Sequence, residues 1–160
     1  MSVKPIPDGH HTVTPYLVLR EAAKAIDFYQ RAFGAEELFR APMPNGKIMH
    51  ARIRIGDSMI MISDEFPNSG CGPTSPQALN GTTTILHLFV PDVDAVMAQA
   101  EKAGATIKMP AADQFWGDRY GQLQDPFGHY WSVATHKEDL TPEQVAKRGQ
   151  EFMSKMAKKN

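Results

Sequence analysis

The stretch Thr-Pro-Tyr-Leu-Val-Leu-Arg-Glu-Ala-Ala-Lys-Ala-Ile-Asp-Phe-Tyr-Gln-Arg-Ala-Phe-Gly-Ala, residues 14–35, changes its hydrophobic period partway along. Its opening continues a β-branched and aromatic run that predicts a strand over residues 11–20, with Pro15 marking an edge or a bulge. From Ala22 the apolar residues return at helical spacing, at Ala25, Ile26, Tyr29, Ala32 and Phe33. Gly34 then stands where a left-handed C-cap is wanted, so a helix is expected over about 21–33.

Downstream, three strand-like runs near 35–41, 47–55 and 58–64 are divided by Pro-Met-Pro-Asn-Gly (42–46) and Gly-Asp (56–57). The same order then recurs. A strand near 82–90 precedes a helix capped by Asp92, with Val93, Val96, Met97, Ala100 and Ala103 on one face and Gly104-Ala105 echoing Gly34-Ala35. Strands near 105–110, 117–124 and 129–135 complete it. This predicts an α+β domain over 1–160 built from two β-α-β-β-β units, 11–65 and 82–136. Residues 66–81, dense in Gly, Pro, Ser and Asn, read as an irregular linker. Thr141, Pro142 and Gln144 form a capping-box pattern that starts a C-terminal helix over 141–158, with Val145, Gly149, Phe152, Met153 and Met156 on one face.

Charge and composition narrow the partners. The 17 basic and 18 acidic residues give a net charge of −1, no footprint for nucleic acid or an anionic membrane. No run approaches the roughly 20 apolar residues of a membrane span. With Cys71 as the lone cysteine, an internal disulfide and a thiolate cluster are excluded, and a cytoplasmic home is expected.

The motifs Thr-Pro-Tyr-Leu-Val-Leu (14–19), Ala-Ile-Asp-Phe-Tyr (25–29), Ala-Phe-Gly-Ala (32–35), Val-Pro-Asp-Val-Asp-Ala (90–95) and Asp-Pro-Phe-Gly-His (125–129) resemble the vicinal oxygen chelate superfamily, which includes glyoxalase I, bleomycin resistance proteins and extradiol dioxygenases. Trp-Gly-Asp-Arg-Tyr-Gly (116–121) followed by Asp-Pro-Phe-Gly-His-Tyr-Trp (125–131) is similar to its PhnB-like branch. The resemblance implies curled mixed sheets around a cavity, a homodimer whose paired units share that cavity, and a small-molecule ligand.

In catalytic members of that superfamily, His, Gln or Glu from two strands of each half hold a divalent metal that acts as a Lewis acid. On the register of the resemblance those positions fall at Thr14, at Thr84 or Ile85, at Asp64 or Glu65, and at Ser132. The usual metal site is therefore not expected. Strand parity points Ile85, His87 and Phe89 away from Leu86, Leu88 and Val90, and sets Tyr16 and Val18 on one side of the first strand and Tyr130 and Ser132 on one side of the last. His50 and Arg52 form a further row, and Trp116 and Arg119 mark a rim. The candidate ligand-binding residues are thus Tyr16, His50, Arg52, His87, Phe89, Trp116, Arg119, Tyr130 and Ser132, which suit an apolar or planar ligand. A second reading is a metal-dependent lyase, isomerase or dioxygenase with a shifted site around His87.

Overall fold

The computed structural model describes residues 3–67, 72 and 74–158; Cys71 lies outside them. The first half runs β1 (Tyr16–Leu19), α1 (Ala22–Phe33), β2 (Glu36–Pro42), β3 (Ile48–Ile55) and β4 (Ser58–Asp64). A short helix, α2 (Pro76–Leu79), follows. The second half is β5 (Ile85–Phe89), α3 (Val93–Ala103), β6 (Thr106–Asp113), β7 (Asp118–Gln124) and β8 (Tyr130–His136), and the chain closes with α4 (Pro142–Ala157).

Each half makes its own four-stranded mixed sheet, ordered β1-β4-β3-β2 and β5-β8-β7-β6. In both, the first strand runs parallel to the last, so the helix serves as the start of the crossover that a parallel pair requires. Both helices end on left-side glycines, Gly34 at φ 66° and Gly104 at φ 120°, where a side chain would be strained. Their starts are held differently. Asp64, at the end of β4, accepts from the Ala22 backbone N–H at 3.0 Å and from Ile48 N–H at 2.7 Å. At the equivalent end of β8, Thr135 Oγ1 accepts from Val93 N–H at 2.8 Å, while Asp92 caps Ala95 N–H at 3.0 Å.

The helix-facing sides of both sheets share one core. Leu17, Leu19, Ile60 and Ile62 from the first sheet and Leu123, Trp131 and Val133 from the second close around Ala25, Ile26, Phe28 and Tyr29 of α1 and Met97 and Ala100 of α3. The helices also pair directly, because Gln99 Nε2 donates to the exposed end carbonyls of α1 at Arg31 and Ala32, at 2.7 and 3.2 Å. At the centre lies Asp125, 4% exposed. Its carboxylate accepts from Tyr29 Oη at 2.8 Å and Trp131 Nε1 at 2.9 Å, and from the backbone N–H groups of Phe127 and His129 at 2.9 and 3.0 Å. Burial, reinforced by the Asp125 charge, pushes the Tyr29 phenol well above its usual pKa.

Two expectations change. The first strand is limited to Tyr16–Leu19, because ladder pairing with β4 begins only where Pro15 O accepts from Met61 N–H, and residues before it turn back through Thr14 Oγ1 to His11 O. The 66–81 segment contains a regular turn of helix, started by Ser75, whose side chain accepts from Ala78 N–H, with Pro76 at its first position. The capping box of α4 forms in full, but none of its residues is buried. Phe152 meets Phe115 at 5.5 Å between ring centres, and Met153 stays 67% exposed.

Replacing Asp125 leaves Tyr29 Oη and Trp131 Nε1 as buried donors with no acceptor. Asp125→Ala is therefore expected to cost about 3–4 kcal/mol, and Tyr29→Phe about 1–2 kcal/mol, in urea unfolding at neutral pH. Equal losses for the two variants would contradict the central role of the carboxylate.

Candidate functional site

Because Trp131 and Val133 point into the core, Tyr130 and Ser132 must point out of the second sheet. The same alternation sends Leu86 and Leu88 inward and Ile85, His87 and Phe89 outward. His87 stands opposite Ser132 in the parallel ladder, and the two side chains meet, His87 Nδ1 to Ser132 Oγ, at 2.7 Å. Around them is a patch of rings. Tyr120 lies nearly parallel to His87 at 6.0 Å, Phe89 stands edge-on to it at 4.5 Å, and Trp116 meets Tyr120 edge-on at 5.6 Å. Gln122 Nε2 donates to Tyr120 Oη at 2.7 Å. Burial lowers the pKa of His87, partly offset by Asp118, which favours the neutral ring at neutral pH.

The first sheet carries a counterpart. Tyr16 Oη and His50 Nδ1 are 3.2 Å apart, their rings edge-on at 5.6 Å. Phe39 is 6.1 Å from His50, and the Arg52 guanidinium lies over Phe39 at 5.1 Å. Burial and then the Arg52 charge lower the pKa of His50. Asp64 and Thr135 cap equivalent helix starts; three residues before them lie Met61 and Ser132, whose ladder partners are Tyr16 and His87. The two halves thus place a ring with a hydrogen-bonding atom at the same point of each sheet. Tyr16 is 51% and Phe89 66% exposed, so both faces are open in the single chain.

Phe39 and Tyr120 were not among the sequence candidates. Tyr120 could have been found from its alternation with Gln122 opposite Gly121 and Leu123, whereas Phe39 is placed against Arg52 by a register shift in β2 that no pattern announces. Arg119 departs from expectation. Opposite Thr135 in the ladder, it points to the helix side, where Asp94 grips it at 2.7 and 2.8 Å and Asp113 at 3.2 Å. Its charge is spent tying β7 to α3. Trp116 is fixed through Nε1 to Asp118 at 3.0 Å but keeps its ring beside Tyr120. Tyr130 is half-buried, with Lys108 5.9 Å over its ring.

The donor chemistry at the superfamily's metal positions does not fit a divalent cation. Thr14 Oγ1 is used in a turn, the Thr84 or Ile85 position offers at most one hydroxyl, and the Ser132 hydroxyl is engaged by His87. Asp64 and Glu65 can now be separated. Asp64 faces the helices as a cap, while Glu65 lies on the outward parity but turns aside, accepting from Ser75 N–H at 3.0 Å, Ser75 Oγ at 2.6 Å and Arg20 Nε at 2.7 Å. Among the described residues, no group of three or more His, Cys, Asp or Glu converges as a metal site would require.

The grip on Ser75 holds the α2 segment over the edge of β1. There Tyr16, Val18, Thr74, Pro76, Leu79, Thr82 and His129 line a cleft of about 510 Å³ with no formally charged carboxylate or amine. His129 Nε2 lies 3.3 Å from Val18 O, and its burial lowers its pKa.

Residues 10–133 match the family model described as the Glyoxalase/Bleomycin resistance protein/Dioxygenase superfamily. An uncharacterized protein of Mycobacterium tuberculosis (strain ATCC 25618 / H37Rv) is 45% identical over 135 residues, covering 83% of this chain and 79% of its own. Among solved structures, TioX from Micromonospora sp. ML1 aligns with a TM-score of 0.63 at 28% identity, over 79% of this chain and 98% of its own. The PhnB protein from Bacillus cereus shares the fold with a TM-score of 0.61 at 18% identity, over 78% of this chain and 99% of its own. Among the described residues, no helix is long and apolar enough to cross a membrane.

The Ser75 and Arg20 contacts lower the Glu65 carboxyl from the ordinary 4.5 to about 2. A depressed carboxyl pKa stabilises the fold above the unfolded value and loses that contribution as pH falls toward the folded one. Between pH 4.5 and 2 the native chain should lose stability more steeply than Glu65→Gln, measured by thermal unfolding across that range. Parallel curves would show that Glu65 does not latch the segment.

Proposed function

Since the chain belongs to the glyoxalase/bleomycin resistance protein/dioxygenase superfamily, we propose that it binds a small planar or apolar molecule between paired sheets, without the superfamily's usual metal site. The observation that carries this reading is the pair of open ring-bearing faces, Tyr16–His50 with Phe39 and Arg52 on one sheet and His87–Ser132 with Tyr120 and Phe89 on the other. Small-molecule sites are mostly apolar with a few placed polar groups, and these faces have that composition. Both sheets turn their inner sides to one core, so a second copy is the surface that would close over them. On this reading the protein is a cytoplasmic homodimer in which the first sheet of one subunit faces the second sheet of the other.

Neutral imidazoles at His50 and His87 suit an uncharged aromatic ligand, which can stack on the rings and meet a polar tip. Arg52, already over Phe39, can extend that stacking by a cation–π contact. A lyase, isomerase or dioxygenase reading needs further metal donors beside His87. Its nearest neighbours on the sheet supply a hydroxyl, a phenol and an amide.

Sedimentation equilibrium is expected to give a dimer. A screen of planar aromatic compounds by thermal shift should find a binder that raises Tm with concentration, by about 2.7 kcal/mol of stability at one hundred times Kd. Phe89→Ala should abolish that shift while changing the ligand-free stability by less than about 0.5 kcal/mol, because the side chain is largely exposed. A stable monomer with no binder in a broad screen would sink the proposal. Stoichiometric Ni, Zn, Mn or Fe after chelator-free purification, lost in His87→Ala, would replace it with the metal-dependent reading.

A further inference from the structure

We infer that Ser132 fixes His87 in the tautomer that carries its proton on Nε2, so that the second sheet offers a hydrogen-bond donor to a planar ligand bearing a carbonyl oxygen. This rests on the ligand-binding reading above and names the ligand chemistry of that same face.

Ser132 is 3% exposed, so solvent has little access to its hydroxyl, and among the described residues its side chain's hydrogen-bond partner is His87 Nδ1 at 2.7 Å. A serine hydroxyl has one hydrogen to donate, and a neutral imidazole has one nitrogen able to accept it. If Nδ1 accepts, the hydroxyl is satisfied and the ring proton sits on Nε2. If Nδ1 were protonated and donated to Oγ, the serine hydrogen would be left buried without an acceptor, the arrangement that folded proteins avoid. The ladder pairing of His87 with Ser132 keeps the two groups in register, and Tyr120 and Phe89 bound the ring from its face and its edge.

The Nε2–H group then has no partner among the described residues. Asp118, the carboxylate whose charge acts on His87, is occupied by His136 Nδ1 at 2.8 Å and Trp116 Nε1 at 3.0 Å. The Tyr120 hydroxyl already accepts from Gln122. An acceptor for Nε2–H must therefore come from water or from a ligand. A planar carbonyl compound lying across Phe89 and the His87–Tyr120 pair would supply it, while a pure hydrocarbon would strip the donor of water and return nothing. Ser132 is in this sense a positioning residue, acting on the ligand through His87.

Long-range ¹⁵N–¹H NMR at neutral pH tests the tautomer without any ligand. In the native chain His87 Nδ1 should resonate as an unprotonated nitrogen and Nε2 as a protonated one. Ser132→Ala should mix the two forms, and Ser132→Thr should restore the native pattern. A protonated Nδ1 in the native chain, or a Ser132→Ala spectrum indistinguishable from it, overturns the inference. The ligand class is tested with fluorenone and fluorene, planar probes that differ by one carbonyl. Fluorenone should bind about fivefold tighter, the scale of one neutral hydrogen bond, and His87→Phe should erase the difference. Equal affinities overturn the carbonyl preference while leaving the binding reading intact; failure of both probes to bind at saturation overturns the two together.

Discussion

The buried carboxylate of Asp125 is the constraint from which the rest of the arrangement follows. A charge at that depth is tolerable only when every lone pair is occupied, and here four donors occupy it, two from side chains in different halves of the chain and two from its own turn. Tyr29 brings α1, and Trp131 brings β8. Once Trp131 is committed inward by its indole N–H, the pleat leaves no choice for its neighbour: Ser132 faces out. Its ladder partner His87 faces out with it. The polar centre of the second sheet's open face is thus a consequence of a hydrogen bond made on the other side of the same strand.

The two halves solve one folding problem with different atoms, and the choice of atoms decides which groups are left for the open faces. Each helix start must satisfy orphan N–H groups at the end of the last strand of its unit. Asp64 does so in the first half and Thr135 in the second. A carboxylate spent on two backbone donors is unavailable to a cation, and the next carboxylate, Glu65, is drawn off by Ser75 and Arg20 to hold the connecting segment. What remains on the open faces is rings, hydroxyls, imidazoles and the Arg52 guanidinium. Such groups can recognise a ligand by stacking and single hydrogen bonds, and among the described residues the imidazoles are not joined by the further donors that a metal site requires.

Much of this was legible in residue order. The change from period 2 to period 3.6 at Arg20, repeated after Val90, fixed two β-α units, and Gly34, Gly104, Asp92 and the Thr141–Gln144 box marked helix ends because caps are local chemistry. Parity along β5 and β8 likewise separated His87 and Ser132 from the core side. Features that depend on a partner far along the chain were not legible. Arg119 read as a rim residue because its two carboxylate partners lie on α3 and β6. The choice between Asp64 and Glu65 turned on which one meets the start of α1. The one-turn helix at Pro76 was hidden by the Gly and Pro density around it, although Ser75-Pro76 is itself a helix-start signal.

Sharing one core has a geometrical price. Two sheets that turn their inner faces to one core leave both ring-bearing faces, Tyr16–His50 and His87–Ser132, open in the single chain. Completing an enclosed site between them calls for a second surface. On the proposed reading a twofold axis supplies it with the least invention, since a single operator that sets the first sheet of one copy against the second sheet of the other creates two identical sites at once. The apolar outward residues Phe39, Ile85 and Phe89 then change meaning. In the isolated chain their exposure is a standing hydrophobic cost in water; in the pair it becomes the lining that excludes water from the neutral donors and raises the value of each hydrogen bond they make.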